Sequence, residues 1–548
     1  MKKNILVALI VLCSTNFIIA QRVYPLVSGI TVDSILKIQP NATKIATDPI
    51  TGHLFYQTTN GNIYEVFIPA SGPATDSLRF TAAQYGIGSP QGLCFKDSSM
   101  FVCGNTWLSN TTVGKIVKAK LQPNGTRVWI DVVTTNSYPT ADPGGDHGFT
   151  DVSIDPTGNY IFLSSGARTH LGELRTNSGA WPGCREVPLT TRIFKFPIST
   201  VGLVLPNDSN LIDNSGYVYA WGTRNAYDMA WDANDTLFAI DNSGERDDPE
   251  ELNWLRKGKN YGFPWNMGGN ANPLMHSPYN VNNDPLVNHQ SVGYQSGWFA
   301  DDPTFPAIPA GVTFTSPVRN YGIAADYYRD SITGKVKQAS ASGTYITSFT
   351  AHRSPLGLVF DRDSAFAAPF RGDGFLTSFM PGGDSTGYSP IAPFGIPCPF
   401  VDPCRDLVQL KLTYNPVIDN YQMTTSRILS GLYQPVDAEL VNSTLYIIEI
   451  SGNIWRINFP AHTGIKSVNA ESSNIKIYPN PAQNNFTIQT SSAQKQFVNV
   501  FDINGKLILT QTINSTTTID ASNFNAGVYT ITITSNSGVT NKRLVIVK

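Results

Sequence analysis

No CxxC pair occurs in this chain and its seven histidines are scattered, so nothing has the spacing of a zinc site. Charge is sparse: Asp, Glu, Lys and Arg make up 15% of 548 residues, and the net charge is -2. With neither sign dominant, composition supplies no attraction for nucleic acid or an anionic membrane. Beyond the N-terminus no stretch approaches the roughly 20 apolar residues that span a bilayer as a helix.

Turn-forming residues are abundant, with 45 Gly and 36 Pro, and aromatics reach 11%. That profile suits an all-β secreted protein. Residues 1–20 combine Lys2-Lys3, an apolar segment and a small residue at Ala20, the layout of a secretory signal peptide. The mature chain is expected to start at Gln21. Leu12 precedes Cys13, where a lipoprotein signal wants a small residue, so lipid attachment is disfavoured. Of the five remaining cysteines, Cys94/Cys103 and Cys398/Cys404 are close enough in sequence to close short loops in an exported protein, leaving Cys184 over.

One pattern returns six times: an alternating strand, a turn with Asp, Asn or Gly, a second apolar strand, and often a third strand introduced by Gly. The copies start at Ile45, Gly92, Thr150, Tyr227, Leu356 and Val436. Such units bury both sheet faces by stacking round an axis, so a six-bladed β-propeller over residues 21–461 is expected. A series of two-sheet sandwiches is the alternative, and the third-strand segments GNIYEV, GKIVKA and GNIWRI favour blades. The copies lie about 70 residues apart against roughly 40 to 45 for a minimal blade, so long insertions are required. The largest covers residues 266–350.

Residues 462–473 read as a linker, and residues 474–548 as a small C-terminal β-sandwich domain. This tail carries YPNP from Tyr478, VFDINGKLI, NAGVYTITI and the terminal KRLVIVK. In those motifs it resembles the type A C-terminal sorting domain of the type IX secretion system. The resemblance implies the type IX machinery as partner, export across the outer membrane, tail removal, and a secreted or cell-surface location.

Chemistry on a propeller gathers where loops from several blades converge. Residues 219–264 hold Arg224-Asn225, a strand pair turning at Asn234-Asp235, and the polar loop NSGERDD from Asn242. Polar loops at strand ends are frequent functional sites, although an ordinary solvated loop reads the same way. Asp146-His147 precedes the third copy's first strand. A turn histidine held by a hydrogen bond is the plainer reading, but an imidazole there also suits a general base.

The segments GDHGFTDVSIDPTGNYIFLSSGA, WGTRNAYDMAWDANDTLFAIDNSGERDDPEELNWLRKGKNYGFP and SPLGLVFDRDSAFAAPFRGDGFLTSF resemble the glucose/sorbosone dehydrogenase family in order and spacing, over roughly residues 40 to 460. The resemblance implies a funnel binding pyrroloquinoline quinone (PQQ) and calcium, and oxidation of a sugar's anomeric hydroxyl to a lactone, with an external electron acceptor. It makes His147 the base, flanked by Asp146, and points Arg224 and Asn225 at the quinone. The carbonyls of Ser243 and Gly244 match the calcium loop, to which Asp247, Asp248 and Glu250 add candidate ligands. The chain departs from the pattern at Met380, where the family has Lys. Arg168, His170, His352 and Arg353, all on loops flanking blade strands, are the substitutes available, and Arg168 and His352 are the expected further cofactor contacts. Two other functions fit the same scaffold: a non-catalytic propeller that binds glycan or protein, and a calcium-dependent lactonase-like hydrolase.

Overall fold

Consecutive residues of a strand face opposite sides of its sheet, and in this chain both sides are buried. Met100 and Val102 pack with Phe55 and Ile63. Phe101 and Cys103, interleaved with them, pack with Phe149 and Leu163. Each such side chain stabilises the fold by about 1.5–3 kcal/mol when fully buried. The structure is a computed structural model that describes residues 23–141, 146–380, 400–461, 475–490, 496–503, 506–535 and 538–548. The chain forms two compact units, divided at 462/463.

Among the described residues of the first unit, six sheets of three or more strands follow one another in sequence. Their first strands are β1 (Ala42–Thr47), β2 (Ser89–Lys96), β3 (Phe149–Ile154), β4 (Ala226–Trp231), β5 (Pro355–Phe360) and β6 (Pro435–Val441). These are the places where the six sequence copies lie. Each first strand packs on the next, and β6 packs back on β1. An apolar core fills every gap between successive sheets; that between the sixth and the first joins Ile448 and Ile454 to Ile45 and Tyr56. The sixth sheet takes its outermost strand from Thr31–Lys37, with Thr31 opposite Asn458.

All six first strands carry a β-bulge at the same place. The register slips between Ala42 and Lys44, Pro90 and Gly92, Phe149 and Asp151, Ala226 and Asp228, Pro355 and Gly357, and Pro435 and Asp437. A bulge re-aims one side chain, here Thr43, Gln91, Thr150, Tyr227, Leu356 and Val436. In three of the six, the residue after the bulge ties its strand to the following one. Asp151 Oδ2 accepts from Met229 N at 3.0 Å, Asp228 Oδ2 from Leu358 N at 2.7 Å, and Asp437 Oδ2 from Ile45 N at 2.8 Å. At Gly92 and Gly357 the next strand comes so close that a Cβ would lie 2.7 Å from Val152 N and 3.0 Å from Ala438 N.

In the second unit, a sheet of Lys476–Tyr478, Asn485–Gln489 and Thr517–Asp520 shares one core with a four-stranded sheet. The polar strand Thr517–Asp520 is an addition to the sequence reading. The hairpin turn expected at Asp502-Ile503-Asn504-Gly505 and the signal peptide lie partly and wholly outside the described residues. The expected Cys94–Cys103 pairing is not formed: both are free thiols, as is Cys184. Cys94 stands opposite Phe101 and Cys103 opposite Gly92, so the register offsets the two sulfurs. Cys398, of the other expected pair, is outside the described residues.

Candidate functional site

The bulges and the loops beside them line two cavities, of about 380 Å³ and about 840 Å³. The smaller is lined by the residues after the bulges, Lys44, Asp151, Asp228 and Asp437. The larger takes Gln91, Thr150, Tyr227 and Leu356 from the bulges themselves. Its size is that of a small-molecule or cofactor site. Its wall brings together Asp146, His147, Arg224, Asn225, Ser243, Gly244 and His352 from the sequence expectation, with Met380 beside them.

Glycine makes the closest approach on that wall. A Cβ on Gly166 would stand 2.5 Å from His147 Cβ and 3.3 Å from Asn225 Oδ1, so the bare backbone lets these two side chains sit together. His147 N donates to the Ala167 carbonyl at 3.1 Å, and Ala167 N to the Arg224 carbonyl at 2.6 Å. This fixes the backbones of His147 and Arg224 to one another through Ala167. His147 Nε2 is buried and has no hydrogen-bond partner, and the same holds for Asn225 Oδ1 and Ser243 Oγ. Burial first, then the Arg224 charge, push the imidazole down to about 3, so it is neutral at physiological pH. Burial pushes Asp146 up to about 7, although its carboxylate accepts from Ala141 N at 2.7 Å.

Arg224 is wholly committed to the wall. Nε donates to the His170 carbonyl at 2.9 Å, Nη1 to the carbonyls of Asn242 and Ser243 at 3.0 and 2.9 Å, and Nη2 lies 3.2 Å from His170 Nδ1. His170 in turn stacks on Trp298, with ring centroids 4.1 Å apart. Burial lowers the Arg224 pKa, against the opposing pull of Asp241 and Glu250. His352 Nε2 meets Asp247 Oδ1 at 2.7 Å. Burial disfavours its charge, but Asp247, Glu250 and Glu245 outweigh that and raise its pKa.

Four expected residues, Arg168, Arg353, Asp247 and Asp248, stand elsewhere. Arg168 does not line the cavity: it donates to the carbonyls of Pro139, Thr140, Arg175, Cys184 and Arg185, stapling three loops. Arg353 is paired with Asp402 and Asp406 in a buried network. Asp247 sits behind His352, held also by Arg329 at 2.6 Å. Sequence reasoning missed Gln91, Trp107, Tyr227 and Trp298 as lining residues. The bulge in each first strand is the signal that places Gln91 and Tyr227; Trp298 belongs to the aperiodic insertion and gave none.

The implied groups fit unequally. Polar atoms without partners on one wall, a neutral imidazole and a cavity of this volume suit an oxygen-rich quinone. Calcium does not fit. It wants about six to eight oxygens, but of the two expected carbonyls that of Ser243 accepts from Arg224, as does that of Asn242 before it. Glu250 accepts from Ser243 N and Ser354 N at 2.5 and 3.1 Å, while Asp247 and Asp248 are paired with Arg329 and Arg246. Among the described residues no group of three or more His, Cys, Asp or Glu is placed to hold a metal ion.

Comparison with known proteins agrees with this organisation at two places. Residues 198–289 match the Glucose / Sorbosone dehydrogenase family, and residues 476–547 the Secretion system C-terminal sorting domain. The latter marks the chain for export by type IX secretion to the cell surface or beyond. A curated relative, the endo-acting ulvan lyase of Formosa agariphila, is 25% identical over 137 residues, or 24% of this chain. The chain spans about a quarter of that protein's length, 26%. Among solved structures, the PQQ domain of Coprinopsis cinerea pyranose dehydrogenase is 13% identical with TM-score 0.48, covering 80% of this chain and 97% of its own. The soluble aldose sugar dehydrogenase of Escherichia coli is 14% identical with TM-score 0.46, covering 78% and 99%. A family AA12 enzyme of Trichoderma reesei, in a calcium structure, is 15% identical with TM-score 0.47, covering 79% and 96%.

Proposed function

We propose that this chain is an exported oxidoreductase that oxidises a sugar or related polyol at a CH–OH carbon, with PQQ as the acceptor, in the funnel of a six-bladed β-propeller. Support for the propeller comes from the cyclic packing of β1 to β6, the core between the sixth and first sheets, and the strand Thr31–Lys37 completing the sixth. The family match over residues 198–289 supports the activity class.

One observation carries the chemistry: His147 Nε2 is buried and unpartnered on the cavity wall. A neutral imidazole there accepts the proton of the substrate hydroxyl as its carbon is oxidised. Gly166 and the Ala167 carbonyl hold the ring's backbone in place. Asn225, anchored through Nδ2 to Asn242 Oδ1 at 3.1 Å, and Ser243 offer polar atoms that would hold the quinone. Arg224 adds a fixed positive charge where negative charge gathers. Leu356, Phe379 and Met380 give the remaining wall an apolar lining. When bound, the quinone supplies a two-electron acceptor for the hydride, and the electrons leave to an external acceptor.

The test is to add PQQ to purified protein, measure its absorbance and binding stoichiometry, and follow dye reduction with an aldose panel. Stoichiometric binding with sugar-dependent reduction is expected. Glycan binding without reduction would make the chain a non-catalytic recognition propeller, and no quinone binding at all would sink the reading.

A further inference from the structure

The Arg224 side chain does at this site what a metal ion does elsewhere. Its Nη1 meets two consecutive backbone carbonyls, Asn242 at 3.0 Å and Ser243 at 2.9 Å. Its Nε takes a third, that of His170, at 2.9 Å. Three carbonyls converging on one buried cation are the arrangement expected around a hard ion, except that the cation is covalently part of the chain. Gly244 permits it: a Cβ there would stand 3.1 Å from the His170 carbonyl and 3.7 Å from Arg224 Nε.

The carboxylates that would complete a calcium shell are already used. Glu250 holds Ser243 N and Ser354 N. Glu245 accepts from Gly293 N. Asp247 is shared by His352 and Arg329. Freeing any of them for a metal leaves a buried amide or cation unmatched. An ion entering beside Arg224 would also face the guanidinium's charge across the same carbonyls.

We propose that Arg224 is the built-in cation of this cavity, standing on the Ser243 carbonyl expected for calcium and on those of Asn242 and His170 beside it, so that the site binds its anionic quinone without metal. This rests on the quinone reading above, and it assigns Arg224 a positioning and charge-balancing role that a guanidinium performs at any calcium concentration.

The experiment uses the full mature protein after chelator treatment. Tryptophan fluorescence, with Trp107 and Trp298 on the cavity wall, reports PQQ binding in EDTA and in millimolar calcium, and equilibrium dialysis reports calcium binding without quinone. The wild type is expected to bind PQQ equally, within about twofold, in both conditions, and to retain no stoichiometric calcium. Arg224→Ala exposes the carbonyls, so in EDTA its PQQ affinity should fall about tenfold or more, and calcium should restore part of it. Arg224→Lys, which keeps the charge but cannot reach three carbonyls, serves if the alanine variant does not fold, and should show the same calcium dependence in weaker form. PQQ binding by the wild type only with calcium, stoichiometric calcium on the free protein, or an Arg224→Ala affinity unchanged in EDTA would each overturn the proposal while leaving the quinone reading standing. No PQQ binding in either condition removes both.

Discussion

Lys44 Nζ lies 2.6 Å from Asp228 Oδ1, joining the first and fourth first-strands across 184 residues of sequence. Asp151 and Asp437 close round the same ammonium at 3.3 and 3.6 Å. All four residues directly follow a bulge, so the register that aims polar side chains into the large cavity also seats this cluster beneath it.

Removing that cation leaves three buried carboxylates facing one another. Lys44→Met should destabilise the protein by about 3–5 kcal/mol near neutral pH, as breaking a buried ion cluster does. Burial already holds the carboxyl of Asp151 up, at about 7, and that of Asp437 well above the usual range, despite the lysine. Acid therefore relieves the repulsion by protonating them. Urea melts of the variant should show a smaller loss at about pH 5 than at about pH 8; equal losses would mean that the cluster is not what the substitution disturbs.

Asp146 gives a second pH-dependent outcome. Its carboxyl titrates near 7 in the fold against 3.8 for an ordinary aspartate, chiefly through burial. Below the lower value both folded and unfolded chains are protonated. Between the two, the folded chain keeps a proton that the unfolded chain has released, and stability falls as pH rises, by at most about 1.4 kcal/mol per pH unit. Asp146→Asn stays neutral throughout and can still accept from Ala141 N. It should melt higher than the wild type at about pH 8 and at the same temperature near pH 4.

The repeat was legible because each sheet is buried on both sides, which writes apolar residues into every strand at a period that survives in sequence. His147, Arg224, Asn225 and Ser243 were legible as a group through their motifs, and the structure brings them to one wall. Gln91 and Tyr227 were not, since only the bulge turns them inward, and a one-residue slip decides which face a side chain takes. Arg168 looked like a cavity residue because it lies on a loop flanking a blade strand, but a buried guanidinium satisfied by five carbonyls turns away from the cavity. Trp298 meets the site through an insertion with no periodicity to read.

Loss of the proposed base should show in turnover rather than in binding. His147→Ala is expected to cut kcat by about 10²- to 10⁴-fold while PQQ still quenches the tryptophans. The wild-type rate carries a further mark. A base must be unprotonated, and burial with the Arg224 charge places this imidazole's protonation at about 3 instead of 6.5. Rate against pH should thus stay level through the range where an ordinary histidine base fails. An acid limb centred near 6.5 would assign the proton to another group.

Gly166 offers the sharpest separation between a site that is present and one that is correctly built. An alanine Cβ there would stand 2.5 Å from His147 Cβ, 3.3 Å from Asn225 Oδ1 and 3.4 Å from the Arg224 carbonyl. The strand cannot retreat easily, because Gly166 N donates to the Gly148 carbonyl at 2.7 Å and Ala167 N to that of Arg224 at 2.6 Å. The imidazole must give way. Overpacking of this kind costs about 1–3 kcal/mol, and displacing a reacting group by about 1 Å costs on the order of 10²-fold in rate. Gly166→Ala should therefore fold, melt a few degrees lower and lose about two orders of magnitude in kcat. Gly88→Ala is the control: its Cβ would meet nothing nearer than Thr106 Oγ1 at 3.7 Å, and its activity should match the wild type. Full activity in Gly166→Ala would show that the position of His147 relative to Asn225 does not matter to the reaction, and with it the role of His147 as base would fall.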